Sequence, residues 1–329
     1  MDRERTERRA GVALLLLAGV CWGTTGTLQA LAPADAPPLT LGSVRIVVSG
    51  VLLLTLCLLR TGPAFLKKTR LAPLIMAVIG MMGYQFAFFS ALKLTGVAVG
   101  TMIAIGAIPM FGGLVGFLLE KEPLSPRWGL STGVAVTGCT LLAFAGGGVM
   151  TARWSGVALA VLAAFSTVFM GLGIKRQGAA MTPLEASAVT LAGGALVGLP
   201  VLLALDSSWL LTPRGAVVAT ALGIVSMAVP LSVFAYGVQR VLLRDAYTLA
   251  LVEPLTACIL SAVVLGERLT PLSLAGVALI FLGISSLSPS QKGKLRHTRS
   301  CNDRLRHHRP EEDRAWKTKP GNSSRATRP

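Results

Sequence analysis

Ten apolar runs, each close to the length that crosses a bilayer, dominate the 329-residue chain. They cover residues 11–31, 39–59, 71–92, 97–119, 127–147, 156–176, 183–204, 214–237, 242–264 and 272–289. About 20 helical residues span the hydrocarbon layer, where only structures that satisfy their own backbone groups persist. A β-barrel would need short segments of alternating polarity, and none is present. The sequence therefore predicts an all-α polytopic membrane protein with ten transmembrane helices. Composition agrees: 53% of residues are hydrophobic and 14% charged, against about 25% charged in soluble domains. The 36 glycines suit close helix–helix contact in lipid.

A constant shift of 145 residues superimposes the two halves of the chain. "GVALLLLAG" from Gly11 then meets "GVALAVLAA" from Gly156, and Gly26 meets Gly171. Pro38-Leu39 pairs with Pro183-Leu184, Pro109 with Pro254, and Glu122 with Glu267. Leu124, Pro126 and Gly138 pair with Leu269, Pro271 and Gly283. Matches at both ends of each half without gaps indicate a duplicated five-span unit, with repeats at 11–147 and 156–289. Five crossings are odd, so the second copy must run in the opposite sense, giving two inverted five-helix repeats.

The net charge of +16 supports that topology rather than nucleic-acid binding. The N-terminus, alternate connections and the tail hold 26 of the 31 Lys and Arg, twelve of them within the last 38 residues. The opposite side holds Lys93, Arg153, Arg214 and Arg268, and Arg45 lies within a span. Positive charge stays cytoplasmic, which places the basic N-terminus (1–10) and the tail (290–329) in the cytoplasm of an inner-membrane protein. The tail lacks apolar periodicity and is expected to be disordered. A basic start, an apolar run and Ala30-Leu31-Ala32 imitate a signal peptide. The run is longer than a signal core and has a partner in the second copy, so it is expected to be span one.

Inverted repeats with helices interrupted at matching positions are the pattern of secondary transporters. Pro109 and Pro254 supply such helix breaks, each freeing a carbonyl (Ile105 and Ala250) near mid-membrane, though a packing kink would use the same residues. The chain resembles the EamA-type families of the drug/metabolite transporter superfamily over 11–288. The resemblance is carried by "EPLTACILSAVVLGERLTPLSLAGVALIFLGI", its counterpart "IPMFGGLVGFLLEKEPLSPRWGLSTGVAVTG", "CWGTTGT", and the Arg of "GSVRIVVSG". It implies a transporter of amino acids, other small metabolites or drugs, often moving them outward. Lys121 departs from the pattern, standing where the second copy has Gly266.

The candidate substrate-binding residues are Glu253, Arg45, Trp22, Thr25, Tyr84, Gln85 and Tyr236. A mid-span carboxylate is costly, about 3 kcal/mol on insertion scales, so Glu253 should face the bundle interior or water. It suits a cationic or zwitterionic substrate or a transported proton; the alternative is a structural partner such as Arg45. Arg45 can pair a substrate carboxylate in bidentate fashion, or snorkel, or neutralise Glu253. Trp22 and Thr25 sit mid-span among Gly19, Gly23 and Gly26, while Tyr84, Gln85 and Tyr236 could give a cavity its hydrogen-bonding specificity. Glu122 and Glu267 follow a span and precede a Pro-containing turn, which suits structural or gating roles, with Lys121 or Arg268 as candidate partners.

Enzyme chemistry is not indicated. All three histidines (His297, His307 and His308) lie in the tail, and there is no phosphate-cradling Gly-Lys loop. Cys21, Cys57, Cys139 and Cys258 fall in apolar segments and Cys301 in the tail, without metal or disulfide spacing. No cofactor or metal is expected. The expected partners are a small-molecule substrate and the lipid bilayer, with a proton as candidate coupling ion and a second copy of the chain as candidate homodimer partner. A membrane-embedded signalling or scaffold protein without solute flux is the alternative.

Overall fold

The helix starts are written in a recurring Ser/Thr-Pro pair. Ser125, Thr182, Thr212 and Thr270 each precede a proline that opens a helix, and each hydroxyl accepts a backbone N–H of the first turn. Proline at that position loses no intrahelical bond, and the hydroxyl satisfies one of the helix's unpaired donors. Thr182 adds a full capping box, because Glu185 accepts the Thr182 N–H at 2.8 Å. A computed structural model of the chain describes residues 2–145, 153–266 and 269–287, so Glu267 and the tail from 290 lie outside the described residues.

The helices are α1 (Asp2–Ala30), α2 (Pro38–Thr61), α3 (Leu71–Thr95), α4 (Val97–Glu120), α5 (Pro126–Ala145), α6 (Trp154–Gln177) and α7 (Pro183–Ala204). Span eight comprises α8 (Pro213–Gly223), a π-helical turn (Ile224–Ala228) and α9 (Val229–Val238). Span nine comprises α10 (Leu243–Leu249) and α11 (Val252–Val264), and α12 (Pro271–Ser286) is span ten. Among the described residues, nine segments are long and apolar enough to cross a membrane, and α12 is a shorter tenth. Apolar side chains turned away from the bundle, such as Leu196 and Leu203 of α7 at 78% and 77% exposure, mark a lipid-facing surface.

The two five-helix repeats meet with exchange symmetry. The most extensive contacts join α3 to α6, α2 to α7, and α5 to α12. The contacts of α6 with α3 and α4 are mirrored by those of α1 with α9 and with α10 and α11. Matched residues do matched work. Gly11 of α1 lies against Arg240 and Val241, as Gly156 of α6 lies against Leu94 and Thr95. Between α5 and α12, a Cβ at Gly138 would stand 2.6 Å from the Gly276 oxygen, and one at Gly283 2.7 Å from the Ser131 oxygen. Small residues let these backbones touch where lipid provides no hydrophobic drive.

The basic N-terminal residues are the start of α1, which is helical from Asp2; Arg3 and Glu7 form an i,i+4 pair at 3.3 Å in that first stretch. Two expectations need correction. Pro109 does not interrupt span four, since α4 runs unbroken from Val97 to Glu120 around it. The break in span nine lies at Ala250–Leu251, four to three residues ahead of Pro254, which sits in the first turn of α11 where its missing donor is not needed. The Ala250 carbonyl is therefore not free: it accepts the Glu253 N–H at 2.9 Å. The irregular turn that the sequence did not announce is the π-helical one in span eight, placed directly before Pro230, where the extra residue absorbs the proline.

Candidate functional site

Span nine changes character at its break. Every residue of α10 is buried and no residue of α11 is. Just beyond the break, α11 lies on α1 through Gly19 and Gly23: a Cβ at Gly23 would stand 2.7 Å from the Glu253 oxygen and 2.6 Å from Thr256 Cβ. Gly19-Val-Cys-Trp-Gly23 is thus a small-residue seam that fixes the backbone carrying Glu253. Glu253 is half-buried, and a Cβ at Gly26, one turn beyond the seam, would meet only open space.

Arg45 of α2 is held from the side. Its Nη2 donates to Gln85 Oε1 at 2.9 Å, and Gln85 Nε2 donates to the Gly42 oxygen at 3.1 Å. Gly42 leaves the room for this bond, since a Cβ there would stand 2.8 Å from that nitrogen and displace the amide. The Gln85 amide is oriented by both bonds, so the guanidinium is aimed before any ligand arrives. Arg45 is 9% exposed and its Nε has no hydrogen-bond partner. Glu253, Arg45 and Tyr84 lie within electrostatic range of one another, yet among the described residues no ion pair joins Arg45 to Glu253.

The remaining candidates divide between this group and its surroundings. Tyr84 stacks on Phe88, centroids 5.2 Å apart. Trp22 packs on Phe234 at 5.5 Å, and Phe234 on Tyr247 at 5.7 Å, giving a row of aromatic rings from α1 through α9 to α10. Thr25 turns its hydroxyl back onto the Trp22 carbonyl at 2.6 Å. Tyr236 lies in the last turn of α9, with the Arg240 guanidinium over its ring at 5.7 Å from the centroid.

Tyr247 was not among the candidate residues. It is 1% exposed and donates its hydroxyl to the Thr167 oxygen at 2.7 Å. The signal was in its partners: Gly112 and Gly171 leave the space its ring occupies. Glu122 was expected to pair with Lys121 or Arg268, and its partner is another residue. It pairs with Lys175 of α6 at 2.9 Å and accepts the N–H groups of Leu243 and Arg244 at 2.7 and 3.2 Å. Lys121 instead forms the left-handed turn that ends α4, at φ +54°.

Comparison with known proteins decides the family. The EamA-like transporter family matches residues 9–144 and again 154–288. The chain belongs to the EamA-like transporter family. It is 36% identical over 278 residues to the uncharacterized transporter YwfM of Bacillus subtilis (strain 168), covering 84% of this chain and 93% of that one. A 66-residue stretch is 42% identical to an uncharacterized transporter of Archaeoglobus fulgidus, covering 20% of this chain and 24% of that one. A crystal structure of a protein with 22% identity shares the fold at a TM-score of 0.75, covering 85% of this chain and 96% of that one. The chain is therefore a multi-pass membrane protein of the drug/metabolite transporter superfamily, whose EamA-like members are transporters of small molecules across the bilayer.

Proposed function

We propose that this EamA-like protein is a secondary transporter of zwitterionic small metabolites, amino acids and similar compounds, moved outward by alternating access. The observation that carries the reading is the pair Glu253 and Arg45: opposite charges within electrostatic range in an apolar bundle, not joined to each other. A carboxylate and a guanidinium kept apart suit a ligand with an ammonium at one end and a carboxylate at the other. Gln85 orients Arg45, Tyr84 lies within electrostatic range of both charges, and Trp22 and Thr25 of α1 are assigned to the same site. The outward direction rests on the family resemblance.

Two inverted repeats, 11–147 and 156–289, would rock around this midplane site. The distribution of basic residues supports an inner-membrane protein with both termini cytoplasmic. A half-buried carboxylate at mid-span is also a suitable carrier for a coupling proton. Counterflow of a labelled metabolite panel in proteoliposomes tests the function. Exchange of at least one zwitterion by the intact protein, lost with Glu253→Gln, is expected. Absence of flux for every solute would favour a signalling or scaffold role, and flux indifferent to the substitution would remove Glu253 from the mechanism.

A further inference from the structure

The charged side chains at the N-terminal end of the bundle converge on one short helix. The start of α1, the turn after α4, the end of α6 and the start of span nine meet there, where Arg8 reaches Asp245 at 3.4 Å and Lys175 reaches Glu122 at 2.9 Å. We propose that α10 is the gate that closes this side of the transporter and that the Glu122 carboxylate is its latch. The proposal rests on the alternating-access reading above and assigns the moving element and the contact that holds it.

α10 has no cap of its own. Leu242 precedes it and offers no side-chain acceptor, so its first N–H groups need a partner from elsewhere. Glu122 supplies it from more than a hundred residues away: Oε1 accepts from Leu243 and Oε2 from Arg244, while Oε1 also takes Lys175 Nζ. A negative group at a helix start is favoured by the helix dipole. One carboxylate, 3% exposed, thus clamps the α4–α5 turn, α6 and α10 together. The turn that aims it is set by the left-handed Lys121 and by the Glu122 N–H bonded to the Gly116 oxygen at 2.9 Å.

Further along, α10 also meets α1 through Arg8–Asp245 and α9 through Phe234–Tyr247, and it makes further contacts to α4, α5 and α6. Tyr247 donates to Thr167 of α6 and fills the space left by Gly112 of α4. The Thr248 hydroxyl lies 2.9 Å from that of Thr132 and accepts Trp128 Nε1 at 3.2 Å, both from α5. Beyond Thr248 the helix breaks. Leu251 N–H bonds the Thr248 oxygen at 3.2 Å and Glu253 N–H the Ala250 oxygen at 2.9 Å, a tight turn that uncouples α10 from α11. α11 stays with α1 through the glycine seam, so α10 can swing while Glu253 keeps its place. Lys175 and Glu122, 18% and 3% exposed, would regain hydration on parting, which offsets the lost contact and suits a latch.

Sided thiol labelling tests this without requiring a known substrate. A Thr25→Cys reporter, in a chain whose native cysteines are replaced by alanine, sits one turn beyond the Trp22–Phe234–Tyr247 row as seen from the N-terminal side. A membrane-impermeant maleimide should reach it from the opposite side and, in the parent, react slowly from the N-terminal side. Glu122→Ala should raise the N-terminal-side rate at least tenfold and lower the rate from the opposite side. Lys175→Gln, which keeps the Glu122 bonds to α10, should give a smaller change of the same sign. Unchanged sidedness in both variants, with thermal stability retained, would overturn the latch; if Glu122→Ala does not fold, Lys175→Gln alone decides. Lack of solute flux in the parent would count against the transporter reading, while the labelling result would still judge the latch.

Discussion

Gln85, not Glu253, holds Arg45: the guanidinium Nη2 lies 2.9 Å from Gln85 Oε1, and the same amide returns 3.1 Å to the Gly42 oxygen one turn earlier on α2. A buried cation thereby has a neutral partner and remains unneutralised for a ligand. Gln85→Leu would leave the guanidinium without its acceptor and should lower stability by about 2 kcal/mol, the usual worth of a hydrogen bond to a charged group. Thermal unfolding in detergent measures this, and an unchanged melting temperature would show that Arg45 is held otherwise.

The α1–α11 seam predicts a contrast between neighbouring glycines. Gly23→Ala would force a Cβ to 2.6 Å from Thr256 Cβ and 2.7 Å from the Glu253 oxygen. It should cost about 1–3 kcal/mol, the range for overpacking, and displace Glu253. Gly26→Ala, which meets nothing within 4 Å, should leave stability unchanged. Equal melting temperatures for the two variants would contradict the seam.

The turns that end spans four and nine each carry a residue with positive φ. Lys121 has φ +54° and Gly266 φ +72°, at positions that the 145-residue shift makes equivalent. A left-handed residue with a side chain is strained by about 1–2 kcal/mol, and glycine is not. Lys121→Gly should therefore stabilise by about 1 kcal/mol after allowing for the looser unfolded chain, and Gly266→Ala should destabilise by a similar amount. Chemical denaturation of the two variants checks the signs.

Pro254 and the break in span nine are separable. The turn at Ala250–Leu251 is closed by backbone bonds upstream of the proline, so Pro254→Ala should preserve it and reduce counterflow only a few-fold. Loss of all flux would restore the proline to a causal role.

The helix count and the duplication were legible because the length of each apolar run and the constant 145-residue offset are written along the chain itself. The grouping of Arg45 with Tyr84 and Glu253 was legible only as rarity: charges and hydroxyls are scarce in these spans, so each drew attention. Tyr236 drew the same attention, and its contact with Arg240, four residues on, is one that rarity does not reveal. Proline suggested the wrong break in span four, since a helix supported by neighbours can carry one missing donor without opening. Glu122 caps a helix more than a hundred residues away, and no local pattern records that. Its repeat partner Glu267 lies outside the described residues.

The central claim is that one site reads both charges of its ligand. The direct measurement is counterflow in proteoliposomes of an amino acid, its carboxyl-amide and its N-acetyl derivative, with the intact protein and with Arg45→Met and Glu253→Gln. The account predicts exchange of the zwitterion alone by the intact protein and loss of that exchange in both variants. Zwitterion exchange that survives either substitution, or equal exchange of all three compounds, would contradict it.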